Sequence, residues 1–369
     1  MASKIMEFSD YKASKVCIWG AFPKGRELRI DLRLEVRVDC FSDNDEQKHG
    51  TLVDGVPCIS LEELTKQKEE TLVIIAASKK HGIKEQLQKE GFPYVVYQED
   101  IMGSFSETIL RYFVLNILDH CNMNCQGCNH FANIAEKRFV SIEDIRRDTK
   151  RMSELCEGGK VARIGVMGGE PLLHPDLLEI LEVTRMHFPK SLIQLVSNGL
   201  LLLQQKEEFW ICCKEYDIEI VVTKYPINQN YQGMVATALK YGVKFRFYGD
   251  SDKVIKTSYK NPLDVEGVQD CEKSFQLCFL SKHCHMLMEG YFYPCTLMPN
   301  IGHFNKKFGY DMQITKEDRL NIYETSNAEE IIEFVSTPKP FCRFCIPEKM
   351  ESGIPWARTK KVKEEWLVD

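Results

Sequence analysis

Short apolar runs alternate with amphipathic segments in the first quarter of the chain. Ser60 followed by Glu63 predicts a capped helix start, and a further helix is predicted at 79–90. Strands that alternate with helices over short connections predict a parallel, Rossmann-like sheet in an α/β fold. The predicted strands are residues 16–19, 35–41, 56–59, 71–77 and 94–97.

The alternation resumes after a link near residues 99–110, and polar motifs now stand where the strands end. This placement is typical of a barrel active site, so we predict a partial (β/α)6 barrel. From Cys271 onward the periodicity fades, and cysteine and aromatic residues predict a small C-terminal module. The predicted domains are therefore 1–104, 105–270 and 271–369. The predicted barrel strands are 112–118, 161–166, 192–196, 218–222 and 244–248.

Composition narrows the class of protein. The 369 residues are 44% apolar and 28% charged, as in globular proteins, and the net charge of −6 disfavours binding to nucleic acid or an anionic membrane. No window approaches about 18 uninterrupted apolar residues, and the first residues lack an apolar signal core, so we expect a cytoplasmic protein. Thiols stay reduced in the cytosol, so the 15 cysteines indicate metal or cluster ligation more than disulfides.

The first barrel strand is followed by Cys121, Cys125 and Cys128, in the spacing C-x3-C-x2-C. Three thiolates in one loop can hold three irons of a [4Fe–4S] cube and leave the fourth iron open to a cofactor or substrate. A zinc knuckle is the alternative, because zinc prefers four ligands and His120 or His130 would supply the last one.

The next two strands end in Gly-Gly-Glu-Pro at 168–171 and Ser-Asn-Gly at 197–199. In this order the three motifs resemble those of the radical S-adenosylmethionine (radical SAM) enzymes, over roughly residues 111–250. The resemblance implies that the three cysteines bind a [4Fe–4S] cluster whose open iron is chelated by the methionyl amine and carboxylate of SAM. It implies contacts of the methionyl group with Gly168, Gly169 and Glu170, and of the ribose with Ser197 and Asn198.

One position departs from the family pattern. Relatives usually carry an aromatic residue just before the third cysteine, where adenine packs, but this chain has Gly127. His130 or Phe131 is the expected substitute. In the family the reduced cluster, supplied with an electron by a reductant such as flavodoxin or ferredoxin, cleaves SAM to a 5′-deoxyadenosyl radical. That radical abstracts hydrogen from an unreactive C–H bond.

A second cysteine set lies in the C-terminal module. Cys278, Cys295, Cys342 and Cys345 form two distant pairs, which fit either a second [4Fe–4S] cluster or a structural zinc. The arrangement resembles the twitch domain, the short form of the SPASM extension, and this implies an auxiliary [4Fe–4S] cluster. Cys271 and Cys284 are alternative ligands. The remaining cysteines are interpreted as buried core residues: Cys17, Cys40, Cys58, Cys156, Cys212 and Cys213.

In the N-terminal domain, Gly20 and Asp43 end strands at the edge where doubly wound folds bind ligands. Phe22 stands where a dinucleotide fold needs glycine, so NAD is not expected. Lys24 and Arg26 near a helix start predict a phosphate contact. The domain resembles the Rossmann-like N-terminal domains of sugar-modifying acyltransferases in bacterial glycan pathways. The alternative is a docking or structural domain without a ligand.

These observations predict a radical SAM oxidoreductase, similar to a dehydrogenase or an epimerase. The expected substrate is a small polar molecule, with or without phosphate, such as a sugar, a cyclitol or a nucleotide-linked sugar. Four-cysteine twitch extensions occur in the family's 2-deoxy-scyllo-inosamine dehydrogenase, which points the same way. The main alternative is a radical SAM maturase that modifies a ribosomally synthesised peptide. A non-catalytic, metal-stabilised binding protein would leave the motifs at the strand ends unexplained.

Overall fold

The computed structural model describes residues 11–21, 24–77, 80–102, 110–249 and 255–367. The chain divides into two compact units, Met1–Glu107 and Thr108–Asp369. Both units have the predicted α/β architecture with parallel sheets. Within the described ranges, no helix combines the length and the apolar character needed to cross a membrane.

The first unit is built on one sheet. Its described strands are β1 (Lys15–Trp19), β2 (Cys40–Ser42), β3 (Leu52–Val53), β4 (Val56–Ile59), β5 (Thr71–Ile75) and β6 (Tyr94–Tyr97). They lie in the order β3-β4-β2-β1-β5-β6; β3 and β4 form an antiparallel hairpin and the other neighbours are parallel. Its described helices are α1 (Lys24–Leu32), α2 (Leu61–Thr65), α3 (Lys80–Lys89) and α4 (Gln98–Met102).

In this unit the predicted start of a helix is confirmed, and one predicted strand is longer than the strand observed. Ser60 and Glu63 form the predicted capping box at the start of α2. The strand predicted at 35–41 is confined to Cys40–Ser42. The amides of Glu35 and Val36 donate back to the Leu32 carbonyl, at 2.9 and 2.8 Å, so these residues complete the end of α1 instead of pairing in the sheet.

The second unit contains the barrel. Its described strands are β7 (Leu110–Asn116), β8 (Val161–Met167), β9 (Leu192–Ser197), β10 (Ile218–Val222), β11 (Lys244–Phe247), β12 (Thr257–Lys260), β13 (Met286–Met288), β14 (Tyr291–Tyr293), β15 (Leu320–Asn321) and β16 (Glu351–Pro355). The larger sheet has the order β11-β10-β9-β8-β7-β13-β14-β15, and β7 to β11 are all parallel, as a partial barrel requires. After β11, strand β12 pairs antiparallel with β16.

Helices cover the outer face of the barrel. Those described in this unit are α5 (Ile142–Leu155), α6 (Leu177–His187), α7 (Glu207–Glu215), α8 (Tyr231–Tyr241), α9 (Cys271–Leu277), α10 (Leu280–His283), α11 (Leu297–Phe308) and α12 (Ala328–Val335). The helices α5 to α8 connect β7 to β11 in turn. Side chains such as Ile164, Ile193 and Ile220 form the core beneath them.

The opposite face of the same strands carries several polar side chains. Because side chains alternate along a strand, residues next to the helix-facing layer point to the inside of the barrel. The polar residues among them are Arg163 on β8, Gln194 on β9, Glu219 on β10 and Arg246 on β11. Gln194 and Glu219 are buried, and Arg246 forms an ion pair with Glu219.

The C-terminal residues predicted as a third domain, 271–369, belong to the second compact unit. Strand β13 pairs in parallel with β7, and β14 and β15 follow it in the same sheet. A second core packs against β13 and β14 and includes Phe131, Phe304 and Trp366. The C-terminal residues therefore extend the barrel sheet at the edge formed by its first strand.

We predict that Gly25→Ala in α1 lowers the free energy of unfolding of the first unit by about 1–3 kcal/mol. A Cβ at this position would lie 1.8 Å from the Gly20 carbonyl oxygen, so it would push the helix away from β1. Gly82→Ala in α3 is the control, because no described atom lies within 4 Å of the Cβ it adds. That change should raise stability by up to about 1 kcal/mol in urea denaturation. Equal effects of the two substitutions would contradict this packing.

Candidate functional site

The three cysteines of the C-x3-C-x2-C motif lie in the loop after β7, which we call the cysteine loop (Asp119–Cys128). Cys121, Cys125 and Cys128 are half buried, and their thiols are free. Burial raises the pKa of Cys121 to about 12, and the negative charge of Glu170 adds to the rise. Burial and the neighbouring Cys125 also raise the pKa of Cys128. Cys121 and Cys128 therefore carry protons near neutral pH, and metal ligation would release them.

The cysteine loop packs backbone to backbone against the turn that follows β8. The amides of Gly169 and Glu170 donate to the carbonyl oxygens of Leu118 and His120, at 3.0 and 3.1 Å. A Cβ on Gly169 would lie 1.8 Å from the His120 oxygen. One on Gly168, whose φ is +149°, would lie 2.3 Å from the Leu118 oxygen. In this structure the space that the two glycines leave open is filled by the backbone of residues 118–120.

The carboxylate of Glu170 is buried and joins the ends of β8 and β9. Its Oε1 accepts from the Leu172 amide at 3.1 Å and the Ser197 hydroxyl at 2.7 Å, while Oε2 accepts from the Asn198 amide at 2.8 Å. Burial raises the pKa of Glu170 to about 7, and these hydrogen bonds oppose the rise. A carboxylate has roughly four acceptor sites, so the described donors leave room for one more.

The side chains of Ser197 and Asn198, predicted to contact ribose, bond within the protein. Ser197 donates to Glu170, and its hydroxyl oxygen accepts from the backbone amide two residues later, at 2.9 Å. The Nδ2 of Asn198 donates to the Asn122 Oδ1 at 2.7 Å and lies 3.7 Å from the Cys121 Sγ. Asn198 therefore ties the turn after β9 to the cysteine loop.

The residues that follow β16, 356–359, also pair with the cysteine loop, and we call them the C-terminal segment. The Gln126 amide donates to the Ala357 carbonyl at 3.0 Å, and the Thr359 amide donates to the Asn124 carbonyl at 2.9 Å. These two hydrogen bonds flank Cys125, which forms an isolated antiparallel bridge with Arg358. The last part of the chain is thus a structural partner of the first motif.

Position 127, where the family usually has an aromatic residue, has no room for a side chain here. Gly127 has a φ of +64°, and a Cβ on it would lie 2.5 Å from the Tyr259 carbonyl oxygen. Phe131, one expected substitute, is fully buried against Phe304 and Trp366, with ring centroids 5.7 and 5.5 Å away. Phe131 serves the second core, so adenine stacking is not its role in this conformation.

Residues that the sequence analysis did not single out surround Cys125. The Nε1 of Trp356 donates to the Cys125 Sγ at 3.2 Å, and the Tyr225 hydroxyl lies 3.7 Å from the same sulfur. The Nζ of Lys256 lies 4.5 Å from the ring centroid of Tyr259; burial lowers the pKa of Lys256, and Cys125 and Cys128 oppose that fall. Tyr225 follows the end of β10, where strand-end reasoning could have found it. Trp356 lies 231 residues from Cys125 and follows no spacing pattern.

The cysteines of the second predicted ligand set lie in one region of the second unit. Cys278 ends α9, Cys295 follows β14, and Cys342 and Cys345 lie on or beside one 3₁₀ turn. Burial is the largest cause that raises the pKa of Cys345, and the thiols of Cys295, Cys278, Cys342 and Cys271 add to it. The four predicted ligands belong to the second core or pack against it, as does the alternative ligand Cys271.

The other alternative ligand, Cys284, follows directly after the end of α10. Burial raises the pKa of Cys284 to about 11, with Cys278 adding to the rise and Arg163 opposing it. Within the described ranges, no group of three or more Cys, His, Asp or Glu side chains is arranged to hold a single metal ion. The cysteines interpreted as core residues are indeed buried: Cys17, Cys40, Cys58, Cys156, Cys212 and Cys213.

In the first unit, part of the predicted phosphate contact is wrong. Arg26 is buried, with 3% of its side chain exposed, and its Nε lies 2.9 Å from the Asp54 carboxylate in the β3–β4 turn. Asp43 accepts from the Ala21 amide at 3.0 Å and from Lys48 at 2.8 Å. Lys24 is the first residue of α1, while Phe22 lies outside the described residues. Arg26 therefore serves packing and ion pairing, since Asp54 reaches it from the adjacent turn.

Two family models match the chain. Residues 115–216 match the model described as Radical SAM superfamily, and residues 12–94 match the model described as C2185-like, N-terminal. The first match contains the cysteine loop and the turns after β8 and β9. This part of the chain belongs to the radical SAM superfamily, as predicted, and the cofactors of that family are SAM and a [4Fe–4S] cluster.

Curated relatives carry the name GTP 3′,8-cyclase. The protein from Trichodesmium erythraeum (strain IMS101) is 28% identical over 103 residues, which are 27% of this chain and 30% of that protein. The probable enzyme from Methanococcus maripaludis (strain C5 / ATCC BAA-1333) is 35% identical over 94 residues, 25% of this chain and 30% of that protein. This chain thus spans less than a third of either. The enzyme from Aquifex aeolicus (strain VF5) is 24% identical over 64% of this chain and 77% of its own length.

Two solved structures have a low similarity to this chain. BtrN in complex with AdoMet and 2-DOIA is 16% identical, with a TM-score of 0.41, over 70% of this chain and 98% of that chain. Streptococcus suis SuiB bound to S-adenosylmethionine is 12% identical, with a TM-score of 0.32, over 69% of this chain and 76% of that chain.

We predict that Glu170→Gln lowers the free energy of unfolding of the second unit by about 1–3 kcal/mol. A glutamine has only one acceptor oxygen. Its amide nitrogen would therefore face a backbone N–H that now donates to the carboxylate, and that hydrogen bond would be lost. Urea denaturation measures the difference. The exposed Glu333→Gln in α12 is the matched control and should change stability by less than about 0.5 kcal/mol. A Glu170→Gln protein as stable as this control would contradict the hydrogen bonding described here.

Proposed function

We propose that the chain is a radical SAM enzyme in which Cys121, Cys125 and Cys128 hold a [4Fe–4S] cluster. The observation that carries the proposal is the set of neighbouring free thiols on one loop, packed against the two other motif turns. Three thiolates leave one iron without a protein ligand, which provides a position for SAM. When bound, the cluster and SAM supply one-electron chemistry that removes hydrogen from an unreactive C–H bond.

The predicted SAM contacts stay part of this proposal, with roles that the geometry refines. Gly168 and Gly169 hold the turn after β8 against the cysteine loop. Glu170 has an acceptor site left for the methionyl ammonium beside its described donors. Ser197 and Asn198 keep the carboxylate and the loop in position, and they reach the ribose hydroxyls if their present partners shift.

The polar inner face of the barrel supports a small polar substrate. The Gln194 Nε2 donates to the Glu219 Oε2 at 2.6 Å, and the Arg246 Nε lies 3.2 Å from the same oxygen. The guanidinium of Arg163 lies 4.6 Å from the ring centroid of Tyr112. Such a surface offers partners for hydroxyl and phosphate groups. It favours a sugar, a cyclitol or a nucleotide-linked sugar, which the enzyme oxidises or epimerises.

The curated relatives support a second candidate. Their name, GTP 3′,8-cyclase, favours a nucleotide substrate, and one of them aligns over 77% of its length. Modification of a ribosomally made peptide remains the other alternative. Assays of nucleotide, nucleotide-sugar and peptide substrates under one reducing system, with flavodoxin or ferredoxin as the reductant, distinguish the three by the product each forms.

We propose that Cys278, Cys295, Cys342 and Cys345 hold an auxiliary [4Fe–4S] cluster. Their place in or against one core and the burial of Cys295 and Cys342 support it, because thiolates are the ligands of such clusters. Cys271 packs against the same core and is the alternative for one of them. In an oxidation, this cluster would accept the second electron from the substrate.

We predict that replacing Cys121, Cys125 and Cys128 by Ala abolishes the formation of 5′-deoxyadenosine. The variant lacks the thiolates that hold the SAM-binding cluster, while the barrel core beneath α5 to α8 is unchanged. Chromatography of reactions run without oxygen measures the product, and circular dichroism checks that the fold is retained. Continued production of 5′-deoxyadenosine by a folded variant would refute the ligand assignment.

A second prediction concerns iron content. Two cubes correspond to about eight irons per chain and one cube to about four. The reconstituted wild type should therefore hold about eight irons, and the triple Cys→Ala variant about four. Iron, sulfide and zinc are measured on the same samples. Zinc without residual iron in the triple variant would replace the auxiliary cluster by a structural zinc site.

A further inference from the structure

The indole of Trp356 directs its N–H at the sulfur of Cys125. The Nε1 to Sγ distance is 3.2 Å, and the hydroxyl of Tyr225 lies 3.7 Å from the same sulfur. The two aromatic rings meet edge to face, with centroids 5.5 Å apart. An indole nitrogen can only donate, so its hydrogen bond to the sulfur has a fixed direction.

Backbone pairing holds Trp356 in this position. The residue directly follows β16, which pairs with β12. The next residue, Ala357, accepts from the Gln126 amide at 3.0 Å and donates to the Ser258 hydroxyl at 3.4 Å. The backbone that carries the indole is therefore held by β12 and by the cysteine loop.

We propose that Trp356 is a positioning residue that sets the reduction potential of the cluster on Cys125. The inference rests on the proposed function, since it requires a cluster on this loop. Reduction by one electron places more negative charge on the cluster and its sulfur ligands. A hydrogen bond to a charged acceptor strengthens with that charge, so the N–H stabilises the reduced form and raises the potential. Tyr225 acts in the same direction over a longer distance.

Trp366 provides a matched control, because its indole also donates to the cysteine loop. Its Nε1 also donates at 3.2 Å, but the acceptor is the backbone carbonyl oxygen of Cys128 and not a sulfur. Trp356→Phe and Trp366→Phe each remove one indole N–H from the cysteine loop. If the two indoles act through packing alone, both variants should change the reduction potential of the cluster to a similar extent. If the N–H acts on the sulfur, only Trp356→Phe should change it.

The test is a redox titration of the reconstituted full-length protein with dithionite, followed by electron paramagnetic resonance (EPR). The relevant signal is the one that changes when SAM is added, which separates this cluster from an auxiliary one. An ordinary hydrogen bond changes an equilibrium constant by roughly three- to tenfold. At a fixed potential near the wild-type midpoint, Trp356→Phe should lower the ratio of reduced to oxidised cluster by roughly that factor. Tyr225→Phe should lower it less, and Trp366→Phe should leave it unchanged.

An unchanged midpoint in a Trp356→Phe protein whose signal responds to SAM would overturn the inference, as would an equal shift in Trp366→Phe. If Trp356→Phe fails to retain iron, Tyr225→Phe decides the matter, because it removes one hydroxyl and keeps the ring. A shift to more negative potential then supports the inference, and an unchanged potential overturns it. A wild-type protein without any SAM-responsive signal would instead refute the proposed function, and this inference with it.

Discussion

The close approach of two backbone turns is the constraint on which the candidate site depends. Gly169 brings the turn after β8 so near to His120 that a single methyl group would not fit between them. This contact places the carboxylate of Glu170 where it accepts from the Asn198 amide, and Asn198 in turn reaches the Cys121 sulfur. The three motif turns are thereby one hydrogen-bonded assembly, although they lie on three different strands.

The C-terminal segment completes this assembly from another direction. Its backbone pairs with the residues on both sides of Cys125, and the indole of Trp356 points at the sulfur itself. The Tyr259 carbonyl, on the strand that pairs with β16, occupies the space that a side chain at position 127 would need. Gly127 is thus explained by packing, and the C-terminal residues are part of the first site as well as of the second cysteine set.

Much of the fold was predictable because strand patterns and strand ends are local signals. The parallel strands β7 to β11 follow from apolar runs, and their carboxyl ends meet at one edge, so the motifs after β7, β8 and β9 had to lie together. Contacts made over long sequence separations left no such trace. Trp356 follows no spacing rule, and the partner of Arg26 is Asp54 in a separate hairpin, which is why a buried ion pair was misread as a phosphate contact.

Mössbauer spectroscopy of protein reconstituted with ⁵⁷Fe tests the central claim most directly, namely that the cysteine loop leaves one iron open to SAM. Spectra recorded with and without SAM should differ at a single iron, about one in eight if both clusters are present, because that iron gains an amine and a carboxylate ligand. The remaining irons, held by thiolates, should keep their parameters. A spectrum in which SAM alters no iron site would contradict the account.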